Sequence, residues 1–184
     1  MSVDMQALLA AQKKHGGVIE GKDNINEEYF MRLWVFSRVS HLILMETNDN
    51  NKELTLKFIK DFSDFGINSN YPFPNVEFIV TDNPEDISGV IEFHEVNGGT
   101  CYSRKKPKYY SESPTLFVID ATKPMPQVIL NEVIRMSEIS SFGEGKLPEG
   151  VGYLILTQKV KELATYIKSM SGCTELRIFN FGLI

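Results

Sequence analysis

The stretch from Pro114 to Asn131, PTLFVIDATKPMPQVILN, limits what this chain can fold into more than any other segment. Four apolar residues stand together, Leu116 to Ile119, with no alternating polar face. A short unbroken run of that kind suits a strand buried on both sides. Asp120 ends it, and Lys123-Pro124-Met125-Pro126 turns the chain. Proline is tolerated before and at the first turn of a helix, where its missing N–H would have had no partner. Val128, Ile129, Val133, Met136 and Ile139 then recur at helical spacing and predict a helix over roughly 126–140. A buried strand that feeds an amphipathic helix is the repeating unit of a parallel α/β sheet.

The rest of the chain repeats that theme. Asn26-Glu27-Glu28 has the composition of a helix start, since carboxylates favour the positive end of the helix dipole. Phe30, Leu33, Trp34 and Ser37 follow on one face, predicting a helix over 26–38. VSHLILM at 39–45 then reads as a strand over 40–46, although periodicity alone also fits one continuous helix across 31–46. Leu54, Phe58, Phe62 and Phe65 predict a helix over 51–65, with Gly66 where a C-terminal cap belongs. Strands are expected over 76–80, 153–156 and 176–181, and a helix from Val160 to Met170. VIEFHEV at 90–96 alternates and runs straight into Asn97-Gly98-Gly99, a strong signal for a hairpin, here over about 89–104. The expectation is one α/β domain over residues 21–184: a mostly parallel or mixed sheet of five to six strands, flanked by helices, with an antiparallel hairpin excursion. Residues 1–20 read as a short helix, with Val3, Ala7, Leu8 and Ala11 on one stripe, followed by a glycine tether.

Bulk properties narrow the function classes. Of the 184 residues, 42% are hydrophobic and 23% charged, which is enough apolar surface for a core and too much for a disordered chain. A net charge of −5 removes the overall basic footprint of a duplex-binding protein, so nucleic acid would need a local patch. No run approaches the roughly 18 apolar residues of a membrane span. Asp4 precedes the apolar part of the N-terminus and Lys13-Lys14 follow it, the reverse of a secretory signal, so a soluble cytoplasmic protein is expected. Cys101 and Cys173 have no metal-ligand spacing and read as reduced thiols.

Two segments have residues from which chemistry could be built. Asp82, Asp86 and Asp120 fall at or just beyond predicted strand ends, with Thr157 at another. Ligands of open α/β sheets bind outside the carboxyl ends of the strands, and three carboxylates there could hold Mg²⁺ through oxygen ligands. The plainer alternative is that they close turns through their own backbone. The second segment is Tyr102, Arg104, Lys105, Lys106, Lys108, Tyr109 and Tyr110, cations interleaved with aromatics in an otherwise acidic chain. It would suit an acidic protein partner, or single-stranded nucleic acid through stacking and phosphate contacts, or it is an edge strand kept soluble by lysines. His15, His41 and His94 form no Ser-His-Asp or Cys-His set. GEGKLPEG at 143–150 has a lysine among glycines, but it follows a helix and lacks the Gly-Lys-Ser/Thr ending of a phosphate loop.

Three stretches resemble phosphoacceptor receiver domains. FIVTDNPED (78–86) is similar to the acidic end of their first strand, LFVIDATKPMP (116–126) to the phosphorylated aspartate with its following Met-Pro, and GYLILT (152–157) to the fourth strand with its switch threonine. The resemblance implies Asp120 as phosphoacceptor, Asp82 as a metal ligand and Thr157 as the switch. The chain departs from that family where a hairpin replaces the helix after the first acidic strand, and where ELRIFNF (175–181) offers Arg177 in place of a lysine.

Taken together, these features favour a non-catalytic protein–protein interaction or assembly module that acts through the hairpin arm and the N-terminal helix, on a protein partner or on itself. The alternatives are a Mg²⁺-dependent or degenerate receiver-like regulatory domain, and a single-stranded nucleic-acid binder using residues 102–110.

Overall fold

A computed structural model describes residues 27–67, 73–139, 150–170 and 176–179. The helix expected near the N-terminus, residues 143–149 of the glycine-rich stretch and Cys173 lie outside them. The elements in chain order are α1 (Glu27–Val39), β1 (Leu42–Glu46), α2 (Lys52–Ile67), β2 (Asn75–Phe78), α3 (Glu85–Ser88), β3 (Val90–Val96), β4 (Gly99–Lys105), β5 (Thr115–Asp120), α4 (Gln127–Ile139), β6 (Val151–Thr157), α5 (Val160–Met170) and β7 (Leu176–Phe179).

Five strands make one sheet in the order β2-β5-β6-β1-β7, every neighbouring pair parallel. β5 and β6 lie side by side, with Asp120 opposite Leu156. The chain begins its sheet at β1, crosses to the far edge for β2, steps back through β5 and β6, then passes over β1 to reach β7. Alternate side chains of each strand enter two separate cores. Ile43, Met45, Leu116, Val118, Leu154 and Leu156 pack with the aromatic faces of α1 and α2. Leu42, Leu44, Phe117, Ile119, Tyr153 and Ile155 pack with α4 and α5. Strands covered on both faces must be apolar throughout, which is why β5 and β6 read as continuous hydrophobic runs.

The ambiguous stretch 31–46 resolves into a helix and a strand, and Ser40 makes the break. Its amide closes the last helical turn on the Phe36 carbonyl, and its hydroxyl donates to Leu42 O while accepting from Leu42 N. Gly66 is not a cap, because α2 continues through it to Ile67. A Cβ at Gly66 would lie 2.3 Å from Phe73 Cβ, so the glycine makes room for an aromatic that packs against Trp34 and Phe62. The strand expected over 76–80 is shorter. Ile79 still donates to Val118 O, but the Val80 amide turns away to the Tyr109 hydroxyl.

The hairpin forms as expected, and it forms apart from the sheet. β3 and β4 pair only with each other, from Val90 opposite Lys105 to Val96 opposite Gly99. Asn97 and Gly98 take φ of 51° and 77°, the positive pair that a tight primed hairpin turn demands. Every residue from Ile91 to Lys106 is exposed. The arm is held at its root. The Tyr109 amide donates to Asp86 O, and the Tyr109 hydroxyl donates to Val80 O while accepting from Val80 N, all at 2.9 Å.

Candidate functional site

In an open α/β sheet the place for a ligand is the crevice beyond the strand ends where successive connections leave for opposite faces. Here that point lies between β1, whose connection α2 packs on one face, and β6, whose connection α5 packs on the other. The loop after β1, Thr47 to Asn51, closes this crevice with its own side chains. Asn51 Oδ1 accepts from the Asn48 amide and the Thr47 hydroxyl. Asn48 Oδ1 accepts from the amides of Asn50 and Asn51. Thr47 N donates to Thr157 O, and Gln158 Nε2 donates to Asp49 across the gap. A strand, a loop and a lysine opening a helix is the order in which P-loop proteins cradle phosphate. In this loop asparagines stand where those glycines would, Glu53 rather than Ser or Thr follows Lys52, and the amides of 48, 50 and 51 are already engaged.

Lys52 reaches across to the next strand but one and pairs with Asp120 at 3.3 Å. Lys123 stands 3.8 Å from the same carboxylate, whose other oxygen accepts from the hydroxyl and amide of Thr122. Burial works against the Asp120 charge, but the two Thr122 hydrogen bonds and then the Lys52 ammonium outweigh it and hold the carboxyl below its ordinary range. A folded-state value below the unfolded one, about 3.9, contributes stability above that pH and loses it as pH falls through the folded value. We therefore expect Asp120→Asn to melt below the wild type at neutral pH, with the gap closing as the solution is acidified below about pH 4. A gap that stays constant across the titration would show that the Asp120 charge, held by Thr122 and Lys52, is not what stabilises this junction.

The acidic set predicted from sequence is divided by the structure. Asp82 and Asp120 do line one cavity, of about 520 Å³, beyond the ends of β2 and β5, together with Val80, Lys123 and Met125. Asp86 is turned instead to the Thr81 hydroxyl, 2.6 Å away, in the turn before α3. Among the described residues no group of three or more His, Cys, Asp or Glu could hold a metal ion, and the best-placed carboxylate already has an ammonium beside it. The Thr157 hydroxyl oxygen accepts from the Lys159 amide just before α5. The strand order also separates the fold from receiver domains. Numbering the parallel strands in chain order gives 2-3-4-1-5, not the 2-1-3-4-5 of that fold.

The basic–aromatic segment is divided as well. Tyr109 leaves it, because its ring is buried against Phe117 and its hydroxyl secures Val80. Lys106 is paired with Glu112 at 2.8 Å and lies over the Tyr110 ring, and Lys108 lies over Tyr109. Tyr102, Arg104 and Lys105 remain on the arm and are exposed. The histidines have structural partners: His41 Nδ1 donates to Val151 O, and His94 Nε2 meets Ser103 Oγ at 2.9 Å.

The pairing register of the arm exposes what periodicity alone did not show. One face carries Ile91 opposite Arg104, Phe93 opposite Tyr102, and Glu95 opposite Thr100. Phe93 is 72% exposed and Tyr102 63%. Phe93 was legible only as one member of an alternating face, since alternation cannot say whether anything covers that face.

Comparison with known proteins adds little. No protein-family model and no curated protein matches the chain. Among solved structures, a putative ATPase from Cytophaga hutchinsonii is similar at 14% identity and a TM-score of 0.42, over 86% of this chain and 44% of that one. The chain thus spans under half the length of that neighbour, and a likeness this distant has no bearing on function.

Proposed function

We propose that this protein is a non-catalytic interaction module whose contact device is the β3–β4 arm. The observation that carries the reading is the arm's isolation. It pairs with no strand of the sheet, and Ile91, Phe93, Val96 and Tyr102 are all open on it. Single exposed apolar residues are normal, but Ile91, Phe93 and Tyr102 together on one face of a two-stranded ribbon mark a surface suited to a partner. A lone hairpin is also marginal in water, so a partner would stabilise it. The closed crevice at β1 and β6 points the same way, because its amides and its lysine are engaged within the chain.

The test is photo-cross-linking with a benzophenone amino acid placed at Tyr102 on the arm or at Val128 on α4, both exposed. Adducts of higher mass should form in cells from position 102 and not from 128. No adducts from 102, or equal yields from both, would overturn the reading. A specific observation favours one second reading: Arg104 and Lys105 have no ion-pair partner among the described residues, as a phosphate-binding ribbon would require. Glu92 and Glu95 on the same arm work against it.

A further inference from the structure

We infer that the apolar face of the arm pairs with the same face of a second copy of this chain, about a two-fold axis through the Phe93–Tyr102 pair. The inference rests on the arm being a contact surface and names what it contacts. Phe93 and Tyr102 sit opposite each other at the centre of the face. Arg104 lies two residues toward the root on β4, and Glu95 two residues toward the tip on β3. At ~3.4 Å per residue, each charge stands about 7 Å from the centre, on opposite sides of it. Neither Arg104 nor Glu95 has an ion-pair partner among the described residues.

A surface that binds its own copy across a two-fold must be self-complementary. Consider two arms laid face to face and antiparallel, with the axis running across the strands. β3 then covers β3 and β4 covers β4, Phe93 meets Phe93, and Tyr102 meets Tyr102. Root covers tip, so Arg104 of each copy comes to rest over Thr100 of the other, one strand away from Glu95. An arginine side chain spans that offset readily. The Arg104–Glu95 pair thereby forms twice, once on each side of the axis, and the rings are removed from water between the two. Turning the second copy about the strand direction instead would set root on root and leave both charges unpaired. The charge positions therefore select one arrangement of the pair.

The opposite face supports the choice of side. It carries Glu92, His94, Cys101, Ser103 and Lys105 beside the smaller Val90 and Val96 and has no aromatic ring but the histidine, and His94 and Ser103 are already hydrogen-bonded to each other. The contact itself is small. A seven-residue ribbon two strands wide falls short of the ~1,000 Å² typical of stable dimers, so association should be weak and concentration-dependent.

Sedimentation equilibrium of the purified chain, from micromolar to millimolar protein, tests this. The mass should rise toward the dimer with concentration. Phe93→Ala should weaken association by about tenfold or more. Arg104→Glu and Glu95→Arg should each weaken it similarly, and the double change should restore it, because the pair is again complementary across the axis. Unchanged melting temperatures would show that each variant folds. A monomeric mass at every concentration would overturn self-pairing, while cross-links from position 102 to a protein of another mass would leave the interaction reading standing. Association that ignores all of these substitutions would also overturn it.

Discussion

Gly89→Val should lower stability by about 2–4 kcal/mol, more than any change on the arm beyond it. Gly89 closes α3 and opens β3 with φ of 75° and ψ of 176°, a backbone region open essentially to glycine alone. A Cβ there would also stand 2.3 Å from the Lys105 carbonyl oxygen, which is backbone and cannot swing aside. Two costs therefore combine at the point where the arm leaves the domain. Gly98 also has positive φ, 77°, but in a hairpin turn that asparagine or glycine commonly adopts, and nothing lies within 4 Å of a Cβ there. Gly98→Ala should cost only about 1 kcal/mol. Urea unfolding of the two variants checks this ranking, and equal losses would show that the root at Gly89 carries no special constraint. Amide exchange should also quicken along Val90–Lys105 in the Gly89 variant, because the root no longer fits.

Phe58→Ala should cost about 3–5 kcal/mol, a large share of the stability of an ordinary domain. Phe58 is wholly buried, and its ring stacks on Phe30 of α1 at 5.1 Å and on Phe179 of β7 at 5.9 Å. Removing it opens a hole where two helices and an edge strand meet, and the surrounding aromatics are too rigid to fill it. Leu54, one turn earlier and 37% exposed, provides the control, with an expected loss below about 1 kcal/mol on replacement by alanine. If both variants unfolded at the same urea concentration, this aromatic cluster would not be the keystone of that face.

These two positions also show what could be read from residues alone. Phe58 belongs to a stripe that announces itself by spacing, and so do the buried strands around Leu116 and Leu154. The hairpin was legible because Asn97-Gly98 allows few other conformations. Strand order was not legible. Parallel strands joined by helices leave no trace of which neighbours they choose, and nothing in Leu42–Met45 says that β1 sits between β6 and β7. The stripe on α2 also drifted, so that Thr55 and Ile59 are buried while Leu54 is open. At the strand ends, the sequence placed Asp82 and Asp120 but could not say whether they converge; they line one cavity, and Asp120 has Lys52 as its neighbour. A lysine in the first turn of a helix usually points to solvent, so its pairing could not be foreseen. Tyr109 was misread for a related reason. Three tyrosines among cations look alike until α3 packs beside one of them and takes it into the core.

The close contact at Gly89 has a consequence beyond stability. The two ends of the arm touch, so everything from Val90 to Lys105 is a loop-out that leaves and re-enters the domain at a single place. The parent fold would need only a tight turn there to remain whole. Such an appendage can be lengthened, trimmed or exchanged between relatives without disturbing a single strand of the sheet, and its recognition properties can diverge while the scaffold stays constant.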